Sequence, residues 1–273
     1  MITCLKSKIV KDTTNFVVDF LQNKSLQLKI EKLICGATFT FVVLNDQSSG
    51  LAKTECYNDL KFNKLSIFYP GNIIGAEVLE ILNSNQNDNL AFVIKLAVLN
   101  AVSSIIIPHS QFEILYNTDP FNLLDFKNKK ITIVGAFRSY IQKLHQQNAD
   151  FRVLELNKNA IDKEFLSYYK PANKYLQEFE ISHIIILTGS ILANKTFDRL
   201  VSALPQKSKK IIVGPSAGLP PKLLFDKGID IIGTTKVLDN QKTYQIIAQG
   251  GSAVHLFEQK AAQKICILNN ENN

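Results

Sequence analysis

Tryptophan is absent from the chain, methionine occurs once, and the four cysteines, Cys4, Cys35, Cys56 and Cys266, stand far apart. That cysteine usage speaks against a disulfide-stapled scaffold, which needs a dense framework, and against a local zinc site, which needs closely spaced pairs. A reducing cytoplasm is the expected setting. The histidines His109, His145, His183 and His255 are equally isolated, so no pair of ligands is expected on one helix face and no local transition-metal motif is present. A nucleophile elbow, a phosphate-binding P-loop and a paired-histidine metalloprotease helix are also missing. The first 26 residues hold no continuous apolar region followed by a small-residue cleavage site, so they do not read as a signal peptide. No window is expected to reach the ~18 apolar residues of a membrane span. The lack of tryptophan beside abundant Asn, Lys and Ile fits an AT-rich genome and has no functional content.

What is present bounds the fold. With 273 residues and 46% hydrophobic content, the chain can build one large domain or two of ordinary size. The net charge is +7, but the lysines are dispersed and cluster only in short groups such as Lys127-Lys129-Lys130 and Lys207-Lys209-Lys210. Without an aromatic-interleaved basic stripe these read as solvated loop lysines rather than a nucleic-acid footprint, although an attraction for anionic ligands remains.

The first part reads as an amphipathic helix around Lys8 to Leu26, then a strand near Leu33 to Leu44 and another near Gly50 to Glu55, joined by the turn Asn45 to Ser49. Helical spacing follows over Ile74 to Leu82 and Leu90 to Ser104. Polar turn residues from Asp119 to Lys130 mark a boundary, which gives a small α+β unit over residues 1–125. Beyond it, strands at Ile131 to Val134, Arg152 to Leu156, Ile184 to Leu187, Ile211 to Val213 and Ile229 to Ile232 alternate with helical segments at Ser139 to Gln147, Lys174 to Phe179, Asn194 to Leu204, Lys222 to Lys227 and Tyr244 to Phe257. Such alternation predicts an α/β fold with a doubly wound parallel sheet over 126–273. The Asn-rich tail is expected to fray.

Ligands of open parallel sheets sit beyond the carboxyl ends of the strands, so the turns there are the candidate site. Val134-Gly135-Ala136-Phe137-Arg138 follows the first strand of the alternating region, and Glu155 closes the second at the separation expected of a ribose-binding acid. One glycine stands where a dinucleotide fingerprint has three, so NAD, S-adenosylmethionine and a purely structural turn all stay open. Thr188-Gly189-Ser190 leads to Asn194-Lys195-Thr196, where hydroxyls, an amide and backbone N–H groups converge for an anion or for ordinary helix capping. Gly214-Pro215-Ser216-Ala217-Gly218-Leu219-Pro220-Pro221 is a rigid connection that suits either a pocket wall or a tight turn.

Taken in order, Leu96 to Ala101, Ile133 to Phe137, Val153 to Glu155, Leu187 to Thr196 and Val213 to Ser216 resemble the motifs of the putative heavy-metal chelation domain family. The resemblance covers nearly the whole chain. It implies an N-terminal domain similar to the enolase N-terminal domain, a Rossmann-like C-terminal domain, and a site in the cleft between them. Gly135, Phe137, Glu155, Thr188, Gly189, Asn194, Thr196, Gly214, Pro215 and Ser216 fall on the family's motif positions, and Asn100 on the motif of the first domain. Ala136 and Ala217-Gly218 depart from it, since relatives tend to have histidine at the first and threonine with proline at the second. The implied function is binding of a metal ion held as a chelate, or of a metallophore-type small molecule. In that picture Glu155 and Asn194 orient the ligand, N–H groups near Gly189 and Gly214 hold an anionic part, and Asn100 closes the site. An enzyme of metallophore assembly or modification using S-adenosylmethionine or NAD is the alternative. No nucleic-acid or membrane partner is expected, and a homo-oligomer stays open.

Overall fold

The computed structural model describes residues 7–54, 63–86 and 88–269. Cys4, Cys56, Glu55 at the end of the expected second strand, and the last four residues of the Asn-rich tail lie outside them.

Helix α1 (Lys8–Asn23) opens the first unit, and its buried residues Ile9, Val10, Thr13, Val17 and Leu21 recur at helical spacing. Three antiparallel strands follow, β1 (Ile30–Cys35), β2 (Phe39–Leu44) and β3 (Ser49–Lys53). The segment expected as one strand from Leu33 to Leu44 is therefore two. The chain reverses at Gly36, whose N–H donates to the Phe39 carbonyl oxygen, and a Cβ there would lie 2.6 Å from Ile247 Cγ2. Strand β2 is buried along its whole length because both faces are covered. Phe39, Phe41 and Val43 pack with Ile246, Ile247 and Leu256, whereas Val42 and Leu44 join the core around helix α3 (Asn89–Ile106).

Helix α3 is buried from Ala91 to Ser103 and is preceded by the short α2 (Val78–Asn83). Asp88 caps it by accepting a hydrogen bond from the Ala91 N–H. By length and composition the segment Asn89–His109 would pass as a membrane-spanning helix, contrary to the sequence expectation; 78% of its apolar window is buried in the protein core. Strand β3 lies almost backbone to backbone on it, since a Cβ on Gly50 would come within 2.2 Å of the Ala101 nitrogen.

The second unit is an eight-stranded sheet. Its strands are β4 (Glu113–Tyr116), β5 (Lys130–Val134), β6 (Asp150–Glu155), β7 (Tyr169–Pro171), β8 (Ile184–Thr188), β9 (Lys209–Val213), β10 (Ile231–Val237) and β11 (Ala262–Leu268), in the order β4-β11-β10-β9-β8-β5-β6-β7. From β10 to β7 every pairing is parallel, and β11 runs antiparallel to both β10 and β4. The order reverses direction between β5 and β8, the switch point of a doubly wound sheet. Strand β4 precedes residue 125, the expected boundary, yet pairs within this larger sheet.

Alternate residues of these strands enter different cores. Ile185, Leu187, Ile212 and Ile232 share one with α3, so the first unit and one sheet face are a single apolar mass. Ile184, Ile186, Ile211 and Ile231 face the other way, with Tyr140, Ile141 and Leu144 of α4 (Arg138–Gln146). The remaining helices are α5 (Tyr175–Glu180), α6 (Ser190–Ala193), α7 (Phe197–Val201), α8 (Pro221–Phe225), α9 (Asn240–Ala248) and α10 (Ala253–Glu258). The helix expected over Asn194 to Leu204 is shorter, since only α7 lies within those bounds; α6 ends before them, and Lys195, at φ 63°, separates the two.

Candidate functional site at the carboxyl ends of the parallel strands

A cleft of about 360 Å³ opens beyond β5, β6 and β8, across the switch point. Its lining includes Gly135, Phe137, Glu155, Thr188, Asn194 and Thr196, so six of the residues singled out from sequence meet in one concavity. Gly135 has φ 102°, and a Cβ there would lie 2.8 Å from Thr188 Cγ2. Its lack of a side chain lets the β5 and β8 turns close on one another. Glu155 accepts a hydrogen bond from the Asn157 N–H, which sets the turn after β6. Thr188 bonds locally to Ser190, and the Asn194 amide oxygen accepts from both the N–H and hydroxyl of Thr196.

Two residues that the sequence does not single out complete the cleft. Arg199 on α7 lies 5.7 Å over the Tyr175 ring, and both line the cavity. Among the described residues Arg199 forms no salt bridge, which leaves its guanidinium charge for an anionic group. Among the described residues of this lining, Glu155 and Arg199 are the only ionised side chains. No spacing in the sequence points to Arg199, because a helix and a strand-end turn bring it to the cleft.

The other expected site residues go elsewhere. The N–H groups of Gly189 and Gly214 do not wait for an anion. The first donates to the Val213 carbonyl oxygen at 2.7 Å and the second to that of Gly233 at 2.9 Å. The backbones of the two turns pack together at this point, where Gly214 has φ 139°. Ser216 is buried and works as a fastener between the units: its hydroxyl accepts from the Lys53 N–H at 2.8 Å, and its carbonyl oxygen accepts from the Asn100 amide at 3.3 Å. Asn100 and Pro215 line a different cavity, together with the Gln47 to Leu51 hairpin.

Three of the four histidines carry structural bonds. His183 accepts from the Lys130 N–H, His145 pairs with the Tyr168 hydroxyl, and His255 accepts from the Ser252 N–H at the start of α10. Among the described residues no three His, Cys, Asp or Glu side chains converge as a metal site.

The model of the family described as putative heavy-metal chelation matches residues 119–266, and a second model under the same description matches 18–103. The chain belongs to this family. A heavy-metal chelation family member from Pyrococcus horikoshii, a protein with unknown function, superposes with a TM-score of 0.76 over 96% of this chain and 100% of its own, at 18% identity. Another, from Desulfitobacterium hafniense and likewise of unknown function, gives 0.75 over 96% and 98%, at 19% identity. At these identities the superpositions show a shared fold. No curated protein matches the chain.

Proposed function

We propose that the protein binds a small organic molecule of the metal-chelate class in the cleft beyond β5, β6 and β8, with the organic part supplying the metal's donor atoms. The observation that carries this reading is Arg199, without an ion pair among the described residues, grouped with Glu155, Thr188, Asn194 and Thr196 around one cavity whose described surroundings offer no metal-ligating cluster. A few converging polar groups in a largely apolar concavity are how small ligands are oriented. Arg199 meets an anionic arm of the ligand, Tyr175 braces the guanidinium, and Glu155 accepts from a hydroxyl or amine. The family's description supports a link to heavy metals, and the charge pair suits a chelate better than a bare ion.

Native mass spectrometry with elemental analysis, on protein purified without chelators, tests this. A stoichiometric metal-organic adduct is the expected result. Arg199→Ala removes a hydrogen bond to a charged group, so affinity for the adduct should fall by about 1.5–3 kcal/mol with the fold retained. A bare metal ion that survives in Arg199→Ala overturns the reading.

A nucleoside-cofactor enzyme is the second reading. It is favoured by one observation: Glu155 ends β6, beside the positive-φ turn at Gly135 that ends β5, where an acid binds a ribose in doubly wound sheets. A metal-free adduct of nucleoside mass, lost in Glu155→Ala, would reverse the order of the two.

A further inference from the structure

The cavity that holds Asn100 has its own chemistry. It measures about 310 Å³ and lies between the Gln47 to Leu51 hairpin, α3, β4 and β10, sharing no lining residue with the cleft described above. Asn100 is 4% exposed, and its amide nitrogen donates to the carbonyl oxygens of Leu51 at 2.7 Å and Ser216 at 3.3 Å. Those bonds fix the amide's orientation, because the flipped form would set its oxygen against two carbonyl oxygens. Asn100 Oδ1 is consequently committed to the other side, where no donor among the described residues meets it. Thr234, 5% exposed on β10, has a hydroxyl that is also without a partner among them. Both atoms lie beside the same residue: a Cβ built on Gly218 would be 3.3 Å from Thr234 Oγ1 and 3.4 Å from Asn100 Oδ1.

Two buried, unsatisfied polar atoms on one cavity wall are costly unless something binds them. Asn100 Oδ1 accepts only, so the missing group must donate. Thr234 can donate in turn, so one hydroxyl that gives its proton to Asn100 and accepts from Thr234 satisfies both. The rest of the wall is mixed, with Leu51, Ile107, Pro108, Ile114 and Ile265 as its apolar part and the neutral polar residues Ser49, Ser104, Thr235 and Asn240 beside them. Among the described residues no carboxylate, cysteine or histidine lines the cavity, and its one charge is Lys236, which lies 5.0 Å over the Tyr116 ring.

We infer that this cavity is a second ligand site, specific for a hydroxyl-bearing organic molecule with an apolar body, whose hydroxyl bridges Asn100 and Thr234. A metal cation does not fit it, since the described lining offers no anionic ligand. A side chain at position 218 would crowd both atoms.

Benzyl alcohol and toluene, titrated separately and followed by saturation-transfer NMR, form a matched pair of probes that differ in the hydroxyl. The wild-type protein should bind benzyl alcohol about tenfold more tightly than toluene, the ratio expected for a pair of neutral hydrogen bonds. Thr234→Val should reduce that preference to about threefold, the share left by the Asn100 bond, with the melting temperature unchanged or raised because an unsatisfied polar atom is removed. Gly218→Ala should weaken benzyl alcohol about tenfold by setting a methyl group beside both oxygens. Equal binding of the two probes overturns the inference, as does the absence of binding by either at millimolar concentration. A lower melting temperature in Thr234→Val with the alcohol preference intact overturns it too, since the hydroxyl would then serve the fold.

Discussion

Single residues decide how the strand-end turns meet. Gly135 and Gly228 both have positive φ, 102° and 83°, but a Cβ at Gly228 would meet nothing within 4 Å, whereas one at Gly135 would strike Thr188. Gly228→Ala should therefore cost backbone strain alone, of order 1–3 kcal/mol. Gly135→Ala should cost the same strain plus the displacement of Thr188. Chemical denaturation of the two variants gives the comparison, and the larger loss belongs to Gly135→Ala. Residue types at strand ends are legible in the sequence, and this is why Gly135, Glu155, Thr188, Asn194 and Thr196 stand out in it as candidates. What each backbone N–H bonds to is not legible there. Gly189 and Gly214 carry the look of an anion-binding turn, yet their N–H groups serve neighbouring strands. Thr234 gives no signal because it sits within a strand, and only the cavity beside it makes its hydroxyl notable.

Elements in this fold are held by partners distant in sequence. Helix α1 has no side-chain cap of its own. Its first N–H groups, at Lys8 and Ile9, donate instead to the Asp198 carboxylate of α7 at 2.8 and 3.0 Å, and the Ser7 hydroxyl joins them. A carboxylate there meets both the free N–H groups and the positive end of the helix dipole. Asp198→Ala should destabilise the protein by about 0.5–2 kcal/mol, the usual range for a lost cap. Hydrogen exchange should show the early amides of α1 losing protection first. Short apolar runs such as Ile184 to Leu187 are readable as strands because parallel strands are buried on both faces. Strands β4, β7 and β11 are not, since the first two span four and three residues and β11 carries the mixed sequence AQKICIL. Helix α3 is readable as a helix, but its complete burial depends on a second unit that local periodicity does not describe.

For the molecule as a whole, the segment between the units is fastened by Asp119. Burial alone would raise the pKa of this carboxyl group, but hydrogen bonds from Lys264 at 2.6 Å, from the Tyr140 hydroxyl and from the Phe121 N–H hold it below the ordinary carboxylate value. A carboxyl group with a depressed folded-state pKa adds stability above its unfolded value, near pH 3.9, and loses that contribution as pH falls through the folded value. Urea unfolding at pH 7 and across pH 2–4 should show Asp119→Asn less stable at neutral pH and less sensitive to acid. The Cys266 thiol nearby is pushed up to about 12, by burial first and then by the Asp119 charge, so it should resist thiol reagents near neutral pH.

The sheet order sets a timetable for synthesis on the ribosome. Among the described strands β4 pairs only with β11, and about 150 residues separate them along the chain. At roughly 5–20 residues per second, β4 spends something like 8–30 s without a strand to pair with while the parallel strands β5 to β10 emerge. Helix α3, the most apolar segment of the first unit, has left the ribosome before the sheet that covers it has been made. The nascent protein thus carries an unpaired strand and an uncovered apolar helix until β11 is released, and that interval is when it most needs a chaperone.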